Sequence, residues 1–202
     1  MSPRTPSRSA RREGRTAFPA VSRLCLLSLL LGWVLLGSAV DGRAQGPVSK
    51  EYQIKAAFLY NYIKFVEWPA PSQNASQPIV IGVWGGNPFG DALGSTVRDR
   101  KINGRTIVVK QVRTAAAARA THLLFVSAAD DARFGELREA LKGSGVLTVG
   151  ESESFAQQGG MIFFTLDGDK LRFEINMNAA EQAGLKISAQ LQKLARAIRR
   201  KP

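Results

Sequence analysis

IVIGVWGGNPFGDALGSTV, residues 79–97, decides the fold. Its first six residues are apolar or glycine with no alternation, the pattern of a strand covered on both faces in the middle of a parallel sheet. The turn Gly85-Gly86-Asn87-Pro88 follows. A short helix through Val97 comes next, with Asn87 the expected N-cap and Pro88 the first helical residue. Strand, tight turn and helix in that order are the first half of a βαβ unit.

Working outward, the same alternation repeats. A turn at Asn103-Gly104 leads to a strand over 106–112 and an alanine-rich helix over 114–119. HLLFVS (122–127) reads as a third strand, 131–142 as a helix closed by Gly143, 146–149 as a fourth strand and 153–158 as a short helix. This order predicts an α/β fold: a mostly parallel sheet flanked by helices on both faces, Rossmann-like and three-layered, with right-handed crossovers. The alternation then breaks. Asp167-Gly168 joins two apolar runs, 161–166 and 170–177, as a β-hairpin. The first arm is apolar throughout. The second alternates, with Leu171, Phe173, Ile175 and Met177 on one face and Lys170, Arg172, Glu174 and Asn176 on the other. It is expected to close the sheet, covering the core with one face and showing the second to water or a partner. Asn178 is the expected cap of a short helix over 179–183, ended by Gly184. Ser188 is expected to cap a final helix with an apolar stripe of Ala189, Leu191, Leu194, Ala195 and Ile198. Arg196, Arg199, Arg200 and Lys201 crowd its C-terminus, where the helix dipole favours positive charge.

Upstream, 50–68 reads as a helix ended by Pro69. It carries two apolar stripes: Tyr52, Ala56, Leu59, Ile63 and Val66, and beside them Ile54, Phe58, Tyr62, Phe65 and Trp68. A helix apolar around most of its circumference is buried on two sides or partly covered by another chain. A loop over 71–77 follows. Before residue 50, Arg4, Arg8, Arg11, Arg12, Arg15 and Arg23 precede an apolar run over 24–37 and then small residues at 37–39 and 42–44. That is the layout of a secretory signal peptide, with cleavage expected after Ala39 or Ala44. The run is shorter than the roughly 20 residues of a spanning helix. An uncleaved anchor is the alternative, and both place the domain outside the cytoplasm. The expected division is therefore signal peptide 1–44, linker 45–49 and one domain over 50–202.

That segment carries seven Arg and two acidic residues, so without it the net charge falls from +12 to +7. The remainder is moderately basic, suited to an anionic surface or an acidic partner. An exported protein is not expected to meet nucleic acid. The single cysteine, Cys25, lies within the signal segment, so the domain has no thiol chemistry.

Reactive constellations are scarce. One histidine, His122, without cysteines or a second histidine does not make a zinc site. Asp130-Asp131 and Asp167/Asp169 lie at turns, where Asp is favoured locally. Glu151 and Glu153 read as solvated acids at a helix start. No catalytic residue, metal or cofactor is expected. The turn at Gly85, Gly86 and Asn87 has the strand–turn–helix setting in which backbone N–H groups hold anions. It matches neither G-x-G-x-x-G nor a Walker loop. It is the candidate ligand-binding position if the domain serves as a periplasmic small-ligand binder for a transporter, receptor or histidine kinase.

GGMIFFTL, LRFEIN and AGLKISAQLQKLA, together with YQIKAAFLYNYIKFVEWP, IVIGVWGGNPFGDAL and HLLFVS, resemble the YfiR/HmsC-like family over about residues 50–198. The resemblance implies a periplasmic regulator, not an enzyme. It would repress an inner-membrane diguanylate cyclase by contacting its periplasmic sensor domain, lowering cyclic di-GMP output and biofilm formation. Histidine kinases are another implied partner class, and a homodimer is implied too. Thr121 and Phe163 stand where the family often has a cysteine or a polar residue, so redox control is not expected. Candidate partner contacts are Ile162, Phe173, Glu174 and Asn176 on the hairpin and Phe58 and Tyr62 on the first helix.

Overall fold

The computed structural model describes residues 48–69 and 76–199. The expected signal peptide, most of the linker, most of the loop over 71–77, and Arg200 and Lys201 lie outside the described residues. Ser49, whose hydroxyl accepts from the Tyr52 N–H, caps helix α1 (Lys50–Phe65), which runs into strand β1 (Val66–Glu67). The strand–helix alternation follows as β2 (Ile79–Trp84), α2 (Ala92–Val97), the edge hairpin β3 (Lys101–Ile102) and β4 (Arg105–Val112), α3 (Ala115–Arg119) and β5 (Leu123–Val126). A 3₁₀ turn (Ala128–Arg133) leads to α4 (Phe134–Ala140), β6 (Leu147–Gly150) and α5 (Glu153–Gln157). The hairpin is β7 (Ile162–Asp167) and β8 (Lys170–Asn176). Then come α6 (Met177–Gln182), β9 (Lys186–Ile187), α7 (Ala189–Leu194) and β10 (Ala197–Arg199).

The main sheet has the order β10-β8-β7-β6-β5-β2-β4-β3. Strands β4, β2, β5, β6 and β7 are parallel, β8 is antiparallel to β7, and β3 is antiparallel to β4. This is the α/β architecture expected from the sequence. Successive strand residues point to opposite faces. Leu123 and Phe125 of β5 therefore enter the cluster under α1, while Leu124 and Val126 enter a second cluster with Phe134, Leu137 and Phe155 of α4 and α5. Helix α1 covers the first cluster with Ala56, Leu59, Tyr62 and Ile63, all buried. Each large side chain there contributes about 1.5–3 kcal/mol by leaving water.

Four local expectations change. Helix α1 stops at Phe65, before Pro69, because Val66 and Glu67 pair with Ile187 and Lys186 of β9 and the Ser188 N–H donates to the Phe65 carbonyl. Asn87 does not cap α2. Its side chain accepts from the Phe89 N–H (3.0 Å) and donates to the Gly90 carbonyl (3.0 Å), and Gly90, at φ 51°, resets the chain so that α2 starts at Ala92. Asn176, not Asn178, caps α6 by accepting from the Ala179 N–H. The final helix ends at Leu194, and β10 pairs in parallel with β8. Helix through Ile198 would leave the outer edge of β8 unpaired, and backbone groups at a sheet edge demand partners. The Arg196 N–H donates to the Phe173 carbonyl (2.9 Å) and opens the β10 ladder. The hairpin is thus one strand in from the edge.

Tyr62 sits at the centre of the α1 interface, its ring 5.2 Å from that of Phe173 and 5.9 Å from that of Phe164. Its hydroxyl is buried with no partner among the described residues, and burial pushes its pKa well above the ordinary tyrosine value. An unpartnered buried hydroxyl costs about 1–3 kcal/mol. Tyr62→Phe is therefore expected to leave stability unchanged or raise it by about 1 kcal/mol in urea unfolding. A clear loss would mean the hydroxyl has a partner in solution.

Candidate functional site

Strands β4 and β5 flank β2 on opposite sides, so the chain reverses direction across the sheet between β2 and β5. The C-terminal ends of strands at such a switch point are where open α/β sheets place ligands. Gly85, Gly86 and Asn87 lie there, directly after β2. The crevice is filled by the chain itself. The Gly86 N–H donates to Oδ2 of Asp130 (3.0 Å), and the Ser127 hydroxyl donates to the same oxygen (3.0 Å). A Cβ added at Gly85, whose φ is +70°, would stand 2.3 Å from the Asp130 carboxylate. Asn87 spends both side-chain groups on its own turn. An anion at this turn would have to displace an aspartate already held by it.

Beside Asp130 lies a buried charged cluster that joins α1 to the same ends of the strands. Glu151, directly after β6, accepts from the Ala128 N–H (2.9 Å), the Tyr52 hydroxyl (3.0 Å) and Lys55 Nζ (2.5 Å). Lys55 is 3% exposed and also pairs with Glu51 at 2.5 Å. Its ammonium stands 4.6 Å from the centroid of the Tyr52 ring. Burial, and then the charge of Glu151, raise the Tyr52 pKa far above its ordinary value, so the phenol stays protonated. The Tyr52 ring packs edge-on against Phe89, and Phe89 against Phe125. Expected as a solvated acid, Glu151 instead has its side chain only 7% exposed, with Lys55 supplying its counter-charge. Lys55 adjoins Ala56 and Leu59 on the buried side of α1, and a lysine so placed is the one sequence signal that could have revealed the pair.

His122 stitches the opposite end of the sheet. Its Nδ1 accepts from the Val80 N–H (3.1 Å), Arg105 Nη2 lies 2.8 Å from Nε2, and the Trp68 indole donates to its carbonyl (3.0 Å). Burial lowers the Arg105 pKa.

The expected partner contacts divide by burial. Ile162, Phe173 and Tyr62 are core residues, at most 2% exposed. Phe58 is half-buried, its ring 5.8 Å from those of both Phe164 and Phe173. Glu174 is held by Arg199 Nε at 3.0 Å, and Asn176 is occupied as the α6 cap. What β7, β8 and β10 do expose is apolar. Leu166 is 62% exposed and lies opposite Leu171, on the α1 side of the sheet, in line with the Phe164–Phe173 pair. Ile198 lies beside Ile175 on that same side. Ile54 stands one turn before Phe58 on α1. Leu194, 60% exposed, ends α7, which packs against α1. These four are the exposed large apolar residues among the described residues. They gather along one flank, α1 to β10, with the exposed Lys193, Arg196 and Arg199 at its β10 end.

The family model for YfiR/HmsC-like proteins matches residues 52–196, from the first turn of α1 to the residue before β10. Among solved structures, a conserved domain protein from Vibrio cholerae is similar at 13% identity and a TM-score of 0.51, over 73% of this chain and 60% of that one. The ABC domain in complex with L-Trp from Streptococcus pneumonia aligns at 11% identity and a TM-score of 0.47, over the same shares. This chain thus spans 60% of the length of each. The Vibrio cholerae likeness bears on the fold alone. No curated protein sequence matches the chain.

Lys55→Met would leave the Glu151 carboxylate buried without its counter-charge, and is expected to cost about 3–5 kcal/mol in denaturant unfolding. Adding Glu151→Gln keeps an acceptor for Tyr52 and Ala128 while removing the charge, so the double variant is expected to recover part of that loss. If Lys55→Met alone costs less than about 1 kcal/mol, the pair is solvated and does not staple α1.

Proposed function

The chain belongs to the YfiR/HmsC-like family, and on that footing we propose that it is a periplasmic protein repressing an inner-membrane sensor, a diguanylate cyclase, by binding its periplasmic domain and lowering cyclic di-GMP output. The observation that carries this reading is that Ile54, Leu166, Leu194 and Ile198, the exposed large apolar side chains among the described residues, lie on α1, β7, α7 and β10 at one flank. Exposed apolar side chains on one flank with charge at its edge are the anatomy of a protein-binding surface. The cations at its β10 end favour a partner with an acidic margin. Glu174 and Asn176 then act from beneath, holding β10 and α6 in place, and Phe58 forms the floor between α1 and β8. A histidine-kinase sensor domain of like surface would be bound in the same way.

Several features accord with this reading. At the switch point Lys55 pairs with both Glu51 and Glu151, and Asp130 is held by the Gly86 N–H and the Ser127 hydroxyl. Among the described residues no helix is long and apolar enough to cross a membrane. Binding at Gly85, Gly86 and Asn87 is disfavoured because Asp130 occupies the turn. Repression then rests on differential affinity: the protein lowers cyclase output only as far as it binds the sensor's inactive state more tightly than its active one. A hundredfold preference corresponds to about 2.7 kcal/mol.

Deleting the gene is expected to raise cellular cyclic di-GMP and surface attachment, and the unaltered gene to restore both. Leu166→Asp with Leu194→Asp changes only exposed side chains. It is expected to leave the melting temperature unchanged, weaken capture of the periplasmic sensor domain by about tenfold or more, and fail to restore repression. Unchanged cyclic di-GMP on deletion overturns the cyclase reading. Full repression by the double variant overturns the assignment of the surface.

A further inference from the structure

At the opposite end of the sheet from Asp130 and Glu151, a cavity of about 420 Å³ opens between the end of α4, the starts of β6 and β7, and α6. Its volume falls within the range of small-molecule pockets. The floor is apolar: Leu141, Val146 and Met161, with Ala179 on α6 and Ala183 at its C-cap one turn later. Small side chains at those two positions leave the space open. Thr148 is the buried polar side chain of the floor, and its hydroxyl oxygen already accepts from the Met161 N–H (3.3 Å). The mouth is cationic. Arg138 and Lys142 lie one turn apart at the end of α4, and both line the cavity. Gly159, at φ +88°, admits the guanidinium: a Cβ there would stand 2.4 Å from Arg138 Nη1. Both cations pair with Glu139, so the mouth keeps one net positive charge.

An apolar chamber beneath a single net positive charge selects an apolar body with one anionic end. We propose that this cavity is a binding site for a small amphiphilic carboxylate, with the carboxylate held by Arg138 and Lys142 and the hydrocarbon laid against Leu141, Val146, Met161 and the two alanines. Glu139 takes Arg138 on one oxygen and Lys142 on the other, and because all three side chains are exposed a ligand carboxylate can share the two cations with it, at the cost of competing with Glu139. Burying the hydrocarbon contributes roughly 0.8 kcal/mol per methylene. The site stands apart from the α1–β10 flank and does not rest on the regulatory reading.

The test is calorimetric titration of the protein with octanoate and with its neutral counterpart, 1-octanol. Octanoate is expected to bind saturably at one site per chain. Arg138→Gln with Lys142→Gln is expected to weaken octanoate by about tenfold or more while moving octanol by less than about twofold. Ala183→Phe is expected to abolish binding of both, with Ala179→Phe as a second filling variant and melting curves confirming that each variant folds. The proposal is overturned if octanoate shows no saturable binding up to about 1 mM. It is equally overturned if folded filling variants bind octanoate normally, or if the charge variant weakens both ligands alike.

Discussion

The contact between Lys55 and Glu151 ties α1 to the C-terminal end of β6. An ammonium taken out of water is costly unless it is paired and hydrogen-bonded. Lys55 meets that condition with Glu51 of its own helix and, across the fold, with Glu151 at the end of β6. The pair therefore fixes α1 in both rotation and height. With that height set, Tyr52 reaches Phe89, Tyr62 lands between Phe164 and Phe173, and Ser188 meets the end of the helix at Phe65. The same placement turns Ile54 outward and leaves Phe58 half-covered. The ion pair covers the α1 side of the switch point, and Asp130 fills its glycine turn.

Sealing matters because this fold usually binds ligands at the end that is closed here. Asp130 sits in the glycine turn where a phosphate would sit in a nucleotide-binding relative of the architecture, and the helix start beyond is displaced to Ala92. The chain has put a carboxylate where such folds put an anionic ligand. Openings lie elsewhere among the described residues: the α1–β10 flank, the cavity beneath α6, and a larger one of about 760 Å³ between the end of α1 and the β3–β4 edge. The outer edge is managed as well. Strand β10 is three residues long and carries Arg199, which lies over the Phe163 ring at 4.8 Å and pairs with Glu174. A short, charged edge discourages indiscriminate strand addition.

The sheet was legible because its strands are long apolar runs separated by glycine turns, and because Asp167-Gly168 marks a hairpin by itself. The family resemblance was legible for the same reason, since its blocks coincide with those strands and with α1. Features built by contacts remote in sequence were not legible. Lys55 and Glu151 are 96 residues apart, and neither residue alone announces the other. Strand β10 is too short for a period of two to show, and Leu194, Ala195 and Ile198 also fit a helical stripe. Asn176 and Asn178 are equivalent by composition, and only the end of the β8 ladder selects the first as the cap. Burial misled at the candidate contacts: the alternation of β8 correctly set Phe173 facing inward, but did not say that the inward face was fully covered by α1. The exposed apolar residues were legible as apolar and not as exposed, since exposure follows from where α1 and α7 end.

The α1–β10 flank and the cavity beneath α6 share one element. Asn176 closes β8 and caps α6, and three residues later Ala179 lines the cavity. The other end of α6 turns through Gly184 into β9, which pairs with β1 and so meets the end of α1. A molecule in the cavity therefore touches the helix that links the β8 edge to α1, the two walls of the apolar flank. Contact alone transmits nothing. Coupling requires that α6 have two positions and that each surface favour one of them, and the strength of coupling is then the same in both directions. The helix is six residues long and buries Met177 and Ala180. Met177 and Ala180 pack in the cluster under α1, so together with the Asn176 cap and the β9–β1 pairing they would carry any shift of α6 to the flank.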